Sequence, residues 1–97
     1  MLSKILTNLD GIRRENLDKE ILRAAIIAEL DAINLYEQMA GTNQNDNIIK
    51  LLMDVAREEK THVGEFQALL LIEDQEQEKE LKEEKKEVEE LIEHKKR

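Results

Sequence analysis

At 97 residues the chain is one small domain with room for only a small core of its own. It has no cysteine, which excludes disulfides and thiolate metal sites, and its net charge of −8 argues against binding to the phosphates of nucleic acid. No apolar run approaches the ~20 residues of a membrane span, and the first ten residues lack the apolar stretch of a secretory signal. We therefore expect a cytoplasmic protein that does not enter the membrane.

The composition predicts an all-α fold, because the chain has no proline and only three glycines, while Glu, Lys, Leu, Ile and Ala dominate. Residues 1–17 are expected to form an N-terminal arm. Residues 18–72 are expected to form the main unit, with one helix from about Asp18 to Met39, a turn at GTNQNDN (residues 41–47) and a second helix from about Ile48 to Ile72. Such a short connection predicts an antiparallel two-helix hairpin.

Residues 73–97 have a different character, since they are mostly charged. Opposite charges lie three or four residues apart, as in Glu78 and Lys82, which favours a helix. The apolar residues form only a thin stripe: Leu81, Val88, Leu91 and Ile92. We predict a solvated C-terminal helix, or a linker, that docks lightly on the rest.

Each helix of the predicted hairpin has a line of apolar residues at helical spacing that is interrupted by polar ones. On the first helix the line is Leu22, Ile26, Glu29, Ile33 and Tyr36. On the second helix it is Leu52, Val55, Glu59, His62, Phe66 and Leu69. Because burying an unpartnered carboxylate costs several kcal/mol, something must compensate Glu29 and Glu59.

Glu29 and Glu59 are equally far from the predicted turn, so an antiparallel hairpin places them at the same level. Carboxylates with one imidazole suit iron or manganese. Helical di-iron proteins use a Glu from each of two helices and a Glu-x-x-His from each of the other two, and this chain carries one of each. Two copies would complete a four-helix bundle whose four carboxylates balance two Fe²⁺ ions. In such a centre we expect Glu59 to bridge the metals, His62 to cap each one and Glu29 to chelate at the outside.

A structural alternative stays open, because the Glu-x-x-His spacing is weak evidence in a chain with 23 acidic residues. Arg23, Arg57 or Lys60 could instead neutralise Glu29 or Glu59 in ion pairs. The position of both acids on the apolar lines at mid-helix favours the metal site. Glu65, three residues after His62, is expected to be solvated, with a role at the rim of the metal site as the alternative, and Phe66 is expected to pack in the core.

Two segments, AIIAELDAINLYEQMA (residues 25–40) and VAREEKTHVGEFQALL (residues 55–70), resemble the encapsulated ferritins, and the resemblance extends over about residues 18–72. It implies a ferritin-like four-helix bundle completed by homodimerisation, with dimers assembled into a ring-shaped decamer. It also implies that the protein works inside an encapsulin shell, where it oxidises Fe²⁺ for iron storage.

The same resemblance implies roles for individual residues. Glu29, Glu59 and His62 match the ferroxidase ligands, Tyr36 matches a tyrosine beside the centre, and Asp31 matches an acid on the path by which iron enters. The sequence departs from some members at Ala28, which replaces a second acid, and at Leu35, which replaces an aromatic residue. The charged tail has no apolar shell-docking peptide. In some members the domain is fused to the shell protein, so this tail could be a linker.

Three functions fit these residues. The first is a ferroxidase with a di-iron centre between two subunits. The second is a rubrerythrin-like peroxidase or a manganese catalase-like protein on the same scaffold, although the lack of cysteine argues against an ordinary rubrerythrin. The third is a non-enzymatic helical oligomerisation module with buried ion pairs. Metal content distinguishes the third from the other two.

Overall fold

The computed structural model describes residues 14–95, which form three helices in that part of the chain. They are α1 (Arg14–Thr42), α2 (Asp46–Glu73) and α3 (Gln75–Lys95). None of these helices is long and apolar enough to cross a membrane. The all-α prediction is confirmed, and most of the expected N-terminal arm, residues 1–17, lies outside the described residues.

The turn between α1 and α2 is shorter than predicted, because only residues 43–45 are non-helical and Gly41 lies inside α1. Asparagine side chains make this short turn possible. The Asn43 side-chain oxygen accepts a hydrogen bond from the Asn45 N–H at 2.7 Å. Asn45 then caps α2 by accepting from the N–H groups of Asn47 and Ile48, at 3.0 and 3.3 Å.

The core lies between α1 and α2. Its buried apolar residues are Leu22, Ile33, Ala40, Ala56 and Leu70. Ala56 is the most buried of them, at 1% exposure, and its small side chain lets the two helices approach closely. The predicted line on α1 is confirmed at Leu22 and Ile33. On α2 the prediction of a core Leu69 is wrong: Leu69 is 48% exposed, because α2 turns Ala56 and Leu70 toward α1 instead.

One side of the hairpin, which we call the open face, carries exposed apolar residues. Leu51, His62 and Leu69 share this side of α2, since they are spaced by whole numbers of helical turns. Leu51 is 64% exposed. Ile21 of α1 belongs to the same side, because it lines one groove together with Leu69. The pair of helices alone leaves this apolar surface uncovered.

The charged tail forms the predicted helix α3, and the expected Glu78–Lys82 ion pair is present at 3.1 Å. Only Asp74 separates α3 from α2. The apolar stripe of α3 is exposed along its length, at Leu81, Val88, Leu91 and Ile92. α3 makes few contacts with the hairpin, so packing contributes little to its position.

Candidate metal centre

Glu29 lies in the middle of α1 and points into the space between the two helices of the hairpin. Its side chain is 21% exposed. The Oε2 atom is inaccessible to solvent and has no hydrogen-bond partner. A buried carboxylate oxygen without a donor is costly, and a cation is one way to satisfy it.

Glu59 and His62 lie one turn apart on α2 and face Glu29. The His62 Nδ1 atom is 3.4 Å from Oε2 of Glu29 and 3.4 Å from Oε2 of Glu59. These distances are longer than a strong charge-assisted hydrogen bond. One ligand atom from each of the three residues lies within 4.8 Å of the other two. The hairpin therefore brings two carboxylates and one imidazole into a single cluster.

Burial differs across the cluster. The Glu59 side chain is 19% exposed and resembles Glu29 in this respect, whereas the His62 side chain is 46% exposed. The two acids sit where α1 and α2 meet, and His62 lies at the edge, on the open face. The ligand atoms are thus held by a packed scaffold on one side and accessible on the other.

Arginine and lysine side chains do not form the ion pairs with Glu29 or Glu59 that the structural alternative named. Each of the three basic residues that could have neutralised Glu29 or Glu59 pairs with a different carboxylate: Arg23 with Asp74 at 2.8 Å, Arg57 with Asp54 at 2.7 Å, and Lys60 with Glu37 at 3.0 Å. None of these lysine or arginine residues is therefore the compensating charge for the two site glutamates.

A cavity of about 420 Å³ opens beside the cluster. Glu29 and His62 line it together with Glu65 and Phe66. Glu65 is exposed, as expected from the sequence, and it lines the cavity together with half-buried Phe66. The signal for Glu65 was its position three residues after His62, which puts it on nearly the same side of α2.

The two further candidates lie outside this cluster. Tyr36 is half-buried and follows Glu29 by two helical turns on the same line of α1. Asp31 is half-buried and comes two residues after Glu29, so it lies on a different side of the helix. Among the described residues, the cluster of potential metal ligands consists of Glu29, Glu59 and His62.

The fold and this cluster have counterparts in known proteins. The sequence profile of the rubrerythrin family matches residues 20–97. The crystal structure of the encapsulated ferritin domain from Pyrococcus furiosus is 57% identical in sequence, with a TM-score of 0.79, over 94% of this chain and 93% of that one. This chain belongs to the rubrerythrin family, among its encapsulated ferritins.

A second relative is the ferritin-like–encapsulin shell fusion protein of Pyrococcus furiosus. It is 68% identical over 72 residues, which are 74% of this chain and 21% of that protein. The chain therefore spans about a fifth of the length of this relative. The resemblance to encapsulated ferritins and the ferritin-like helical fold, both predicted from the sequence, are confirmed.

The donor set fits the metals of ferritin-like proteins. Carboxylate oxygens and an imidazole nitrogen suit iron or manganese, and the orphaned Oε2 of Glu29 supplies a buried acceptor for a cation. Three residues are, however, too few to enclose two metal ions. A ferritin-like di-iron centre uses four carboxylates and two histidines, which is twice what one chain offers.

Proposed function

We propose that this chain is a ferroxidase subunit that oxidises Fe²⁺ to Fe³⁺ at a di-iron centre formed between two copies. The observation that carries the proposal is the cluster of Glu29, Glu59 and His62, whose ligand atoms lie within 4.8 Å of one another. Among the described residues, Arg23, Arg57 and Lys60 pair with other carboxylates and do not neutralise it. It is one half of the ligand set of a ferritin-like di-iron protein.

The open face supports a second copy as the other half. The cluster opens toward this face through His62, and exposed Leu51 and Leu69 lie on either side of it along α2. A two-fold axis beside His62 would bring two clusters together and cover both apolar surfaces at once. The resulting dimer is a four-helix bundle built from two hairpins.

In this centre Glu29, Glu59 and His62 of each copy would hold the iron. Four carboxylates balance the charge of two Fe²⁺ ions. Each Fe²⁺ loses one electron, and O₂ takes up the two electrons with two protons to give H₂O₂. Tyr36 is proposed to lie beside the reacting metals, and Asp31 on the path by which iron enters.

Anaerobic titration with Fe²⁺ during native mass spectrometry tests the proposal. We expect one iron per chain, bound as two per dimer. Glu59→Gln should lose this binding, while Glu58→Gln, a change at the exposed neighbouring residue, should keep it. A wild-type chain that binds no iron after reconstitution would instead support the oligomerisation module, and tighter binding of Mn²⁺ in a parallel titration would support the manganese catalase-like alternative.

The match to the rubrerythrin family favours one second candidate, a peroxidase in which H₂O₂ accepts the electrons. Two electrons and two protons then convert H₂O₂ to two water molecules. Stopped-flow oxidation of Fe²⁺ with matched concentrations of O₂ and H₂O₂ distinguishes the two. Faster oxidation by O₂ supports the ferroxidase, and a strong preference for H₂O₂ supports the peroxidase.

The shell-fused relative suggests where the product goes. We propose that residues 18–72 form the metal-binding unit, that residues 73–97 connect or dock it to an encapsulin shell protein in the cytoplasm, and that dimers assemble into a ring-shaped decamer. A hairpin of this size cannot enclose a mineral core. The isolated protein should therefore oxidise excess Fe²⁺ and release a visible ferric precipitate, whereas a clear solution with a large protein-bound core would contradict this division of labour.

A further inference from the structure

The corner between α2 and α3 consists of one non-helical residue, Asp74, with φ −130° and ψ 87°. No glycine or proline forms this corner, and α3 packs little against the hairpin beyond it. The direction of a 21-residue helix therefore depends on how this single residue is held.

Every polar group of Asp74 has a partner. Its N–H donates to the Leu70 carbonyl at 2.8 Å and ends α2, and its own carbonyl accepts from the Glu78 N–H at 3.1 Å in the first turn of α3. The side-chain oxygen Oδ1 accepts from the Gln77 N–H at 3.1 Å and so caps α3. The other oxygen, Oδ2, accepts from Nη2 of Arg23 at 2.8 Å.

Arg23 differs from the other partners because it belongs to α1, 51 residues earlier in the chain. The Asp74 side chain is only 12% exposed, and that of Arg23 is 48% exposed, so solvent screens one side of the pair. Asp74 is the buried charged residue of the described part of the chain. Lys19, one turn before Arg23 on α1, adds a second positive charge facing Asp74.

We propose that the Arg23–Asp74 ion pair is a strut that fixes the direction in which α3 leaves the hairpin. The contacts with Leu70, Gln77 and Glu78 all lie close in sequence, so they define where one helix ends and the next begins. They do not tie α3 to α1. The bond to Arg23 attaches the corner to α1 as well. It thereby sets the angle at which α3, with its apolar stripe, leaves the hairpin. The strut does not depend on the metal centre.

Pulsed electron–electron double resonance measures the distance between two spin labels. With one label on α1 and one on α3, this distance reports the direction of α3 relative to the hairpin. The chain has no native cysteine, so Asn34→Cys on α1 and Lys86→Cys on α3, both exposed, can be labelled alone. Labelled chains are diluted with unlabelled protein to suppress distances between copies. In the doubly labelled chain with no other change, we expect a narrow distribution of label-to-label distances. Arg23→Gln should broaden this distribution, and Arg23→Lys, which keeps the charge, should give an intermediate width.

Asp74→Asn separates the strut from the helix cap, because asparagine also caps helices but carries no charge. It should broaden the distribution as Arg23→Gln does. Arg57→Gln removes an ion pair that is exposed and lies within α2, so it should change nothing. A wild-type distribution in Arg23→Gln overturns the proposal. So does broadening in Asp74→Ala without broadening in Asp74→Asn, because the cap alone would then set the angle. If Arg23→Gln does not fold, Arg23→Lys and Asp74→Asn decide by the same criterion.

Discussion

The hairpin and α3 are both helical, yet they are stabilised differently. α1 and α2 bury Leu22, Ile33 and Ala56 between them, whereas α3 has no buried residue among its described side chains. α3 is helical through local charge pairs such as Glu78–Lys82 and through its cap at Asp74. Local sequence is therefore enough to make α3 helical, while a defined position for a helix needs packing or a specific long-range contact.

The same contrast explains where a metal site can form. α3 is rich in acids, but Glu84 and Glu87 are exposed and repel one another. In the hairpin, Glu29 and Glu59 are held together against that repulsion by the apolar residues on either side of them. Ligands must be fixed by a rigid scaffold before they can select a metal. Acid content alone therefore does not make α3 a site.

The largest effect is expected from loss of a ligand on the hairpin. Glu59→Gln and His62→Ala should each lower Fe²⁺-dependent O₂ consumption by at least about 100-fold, because even an outer partner of a metal ligand contributes 10–100-fold. Each change also occurs twice in the dimer. Initial rates in an oxygen electrode measure the effect. Glu58→Gln on α2 and Glu84→Gln on α3 serve as controls, and wild-type rates in either ligand variant would remove the assignment.

The next effect concerns stability and separates the two regions directly. Ile33→Ala should lower the free energy of unfolding by about 2–5 kcal/mol, because it leaves a cavity in the core between α1 and α2. Leu81→Ala on α3 should change it by about 0.5 kcal/mol or less, since this leucine is exposed. Urea denaturation curves of the metal-free variants, all recorded at the same protein concentration, measure the two losses. Equal losses in both variants would mean that α3 is packed in solution.

Much of this arrangement was predictable from helical spacing. The polar interruptions at Glu29, Glu59 and His62 were visible on the apolar lines, and equal distance from the turn predicted that the two acids meet. The rotation of α2 toward Ala56 was not predictable, because an alanine carries little signal in a hydrophobic pattern. What closes the turn is a pair of asparagine side chains rather than glycine, which made the turn shorter than its composition indicated.

The corner at Asp74 carries a local signal in the sequence. An Asp followed three residues later by Gln77 is the pattern of a helix start. That pattern could have placed the beginning of α3. The partner Arg23 could not have been found in the same way, since nothing in a single sequence links two charges 51 residues apart.

A smaller effect is expected on assembly. Without metal, pairing two hairpins brings four carboxylates of Glu29 and Glu59 together, and their repulsion opposes association. Fe²⁺ that binds only the paired state favours it by about 1.4 kcal/mol for each tenfold rise in free metal above the dissociation constant. Light scattering after size exclusion should show mostly monomer or weak dimer without iron and larger assemblies with anaerobic Fe²⁺.

The matched variant for this test is Glu59→Gln, which removes two charges from the dimer and weakens the metal site. It should assemble more readily without iron and respond little to it. Arg23→Gln, which lies outside the cluster, should retain the iron response. Identical wild-type assembly with and without metal, in samples shown to be free of residual iron, would contradict the linkage while leaving the oxidase proposal intact.

The smallest effect is a response of α3 to acid that has two opposite parts. The Glu87 carboxylate accepts a hydrogen bond from protonated Glu84 and carries a negative charge, and both effects raise the pKa of Glu84 above its ordinary value of 4.5. Folded α3 thus binds this proton more tightly than the unfolded chain, so its stability should rise as the pH falls through that raised pKa. At the corner, the Gln77 N–H and then Arg23 hold the pKa of Asp74 below its ordinary value of 3.8. The stability contributed by this carboxylate is present above pH 3.8 and should be lost as the pH falls through the lowered pKa.

Hydrogen exchange of α3 amides from about pH 6 to about pH 3, corrected for intrinsic rates, should therefore show protection that first increases and then falls. Glu84→Gln should abolish the increase and Asp74→Asn the later fall. If protection in the wild type only declines, the like-charge contact on α3 does not oppose its folding, and if Asp74→Asn declines as the wild type does, the acid sensitivity of α3 originates away from the corner.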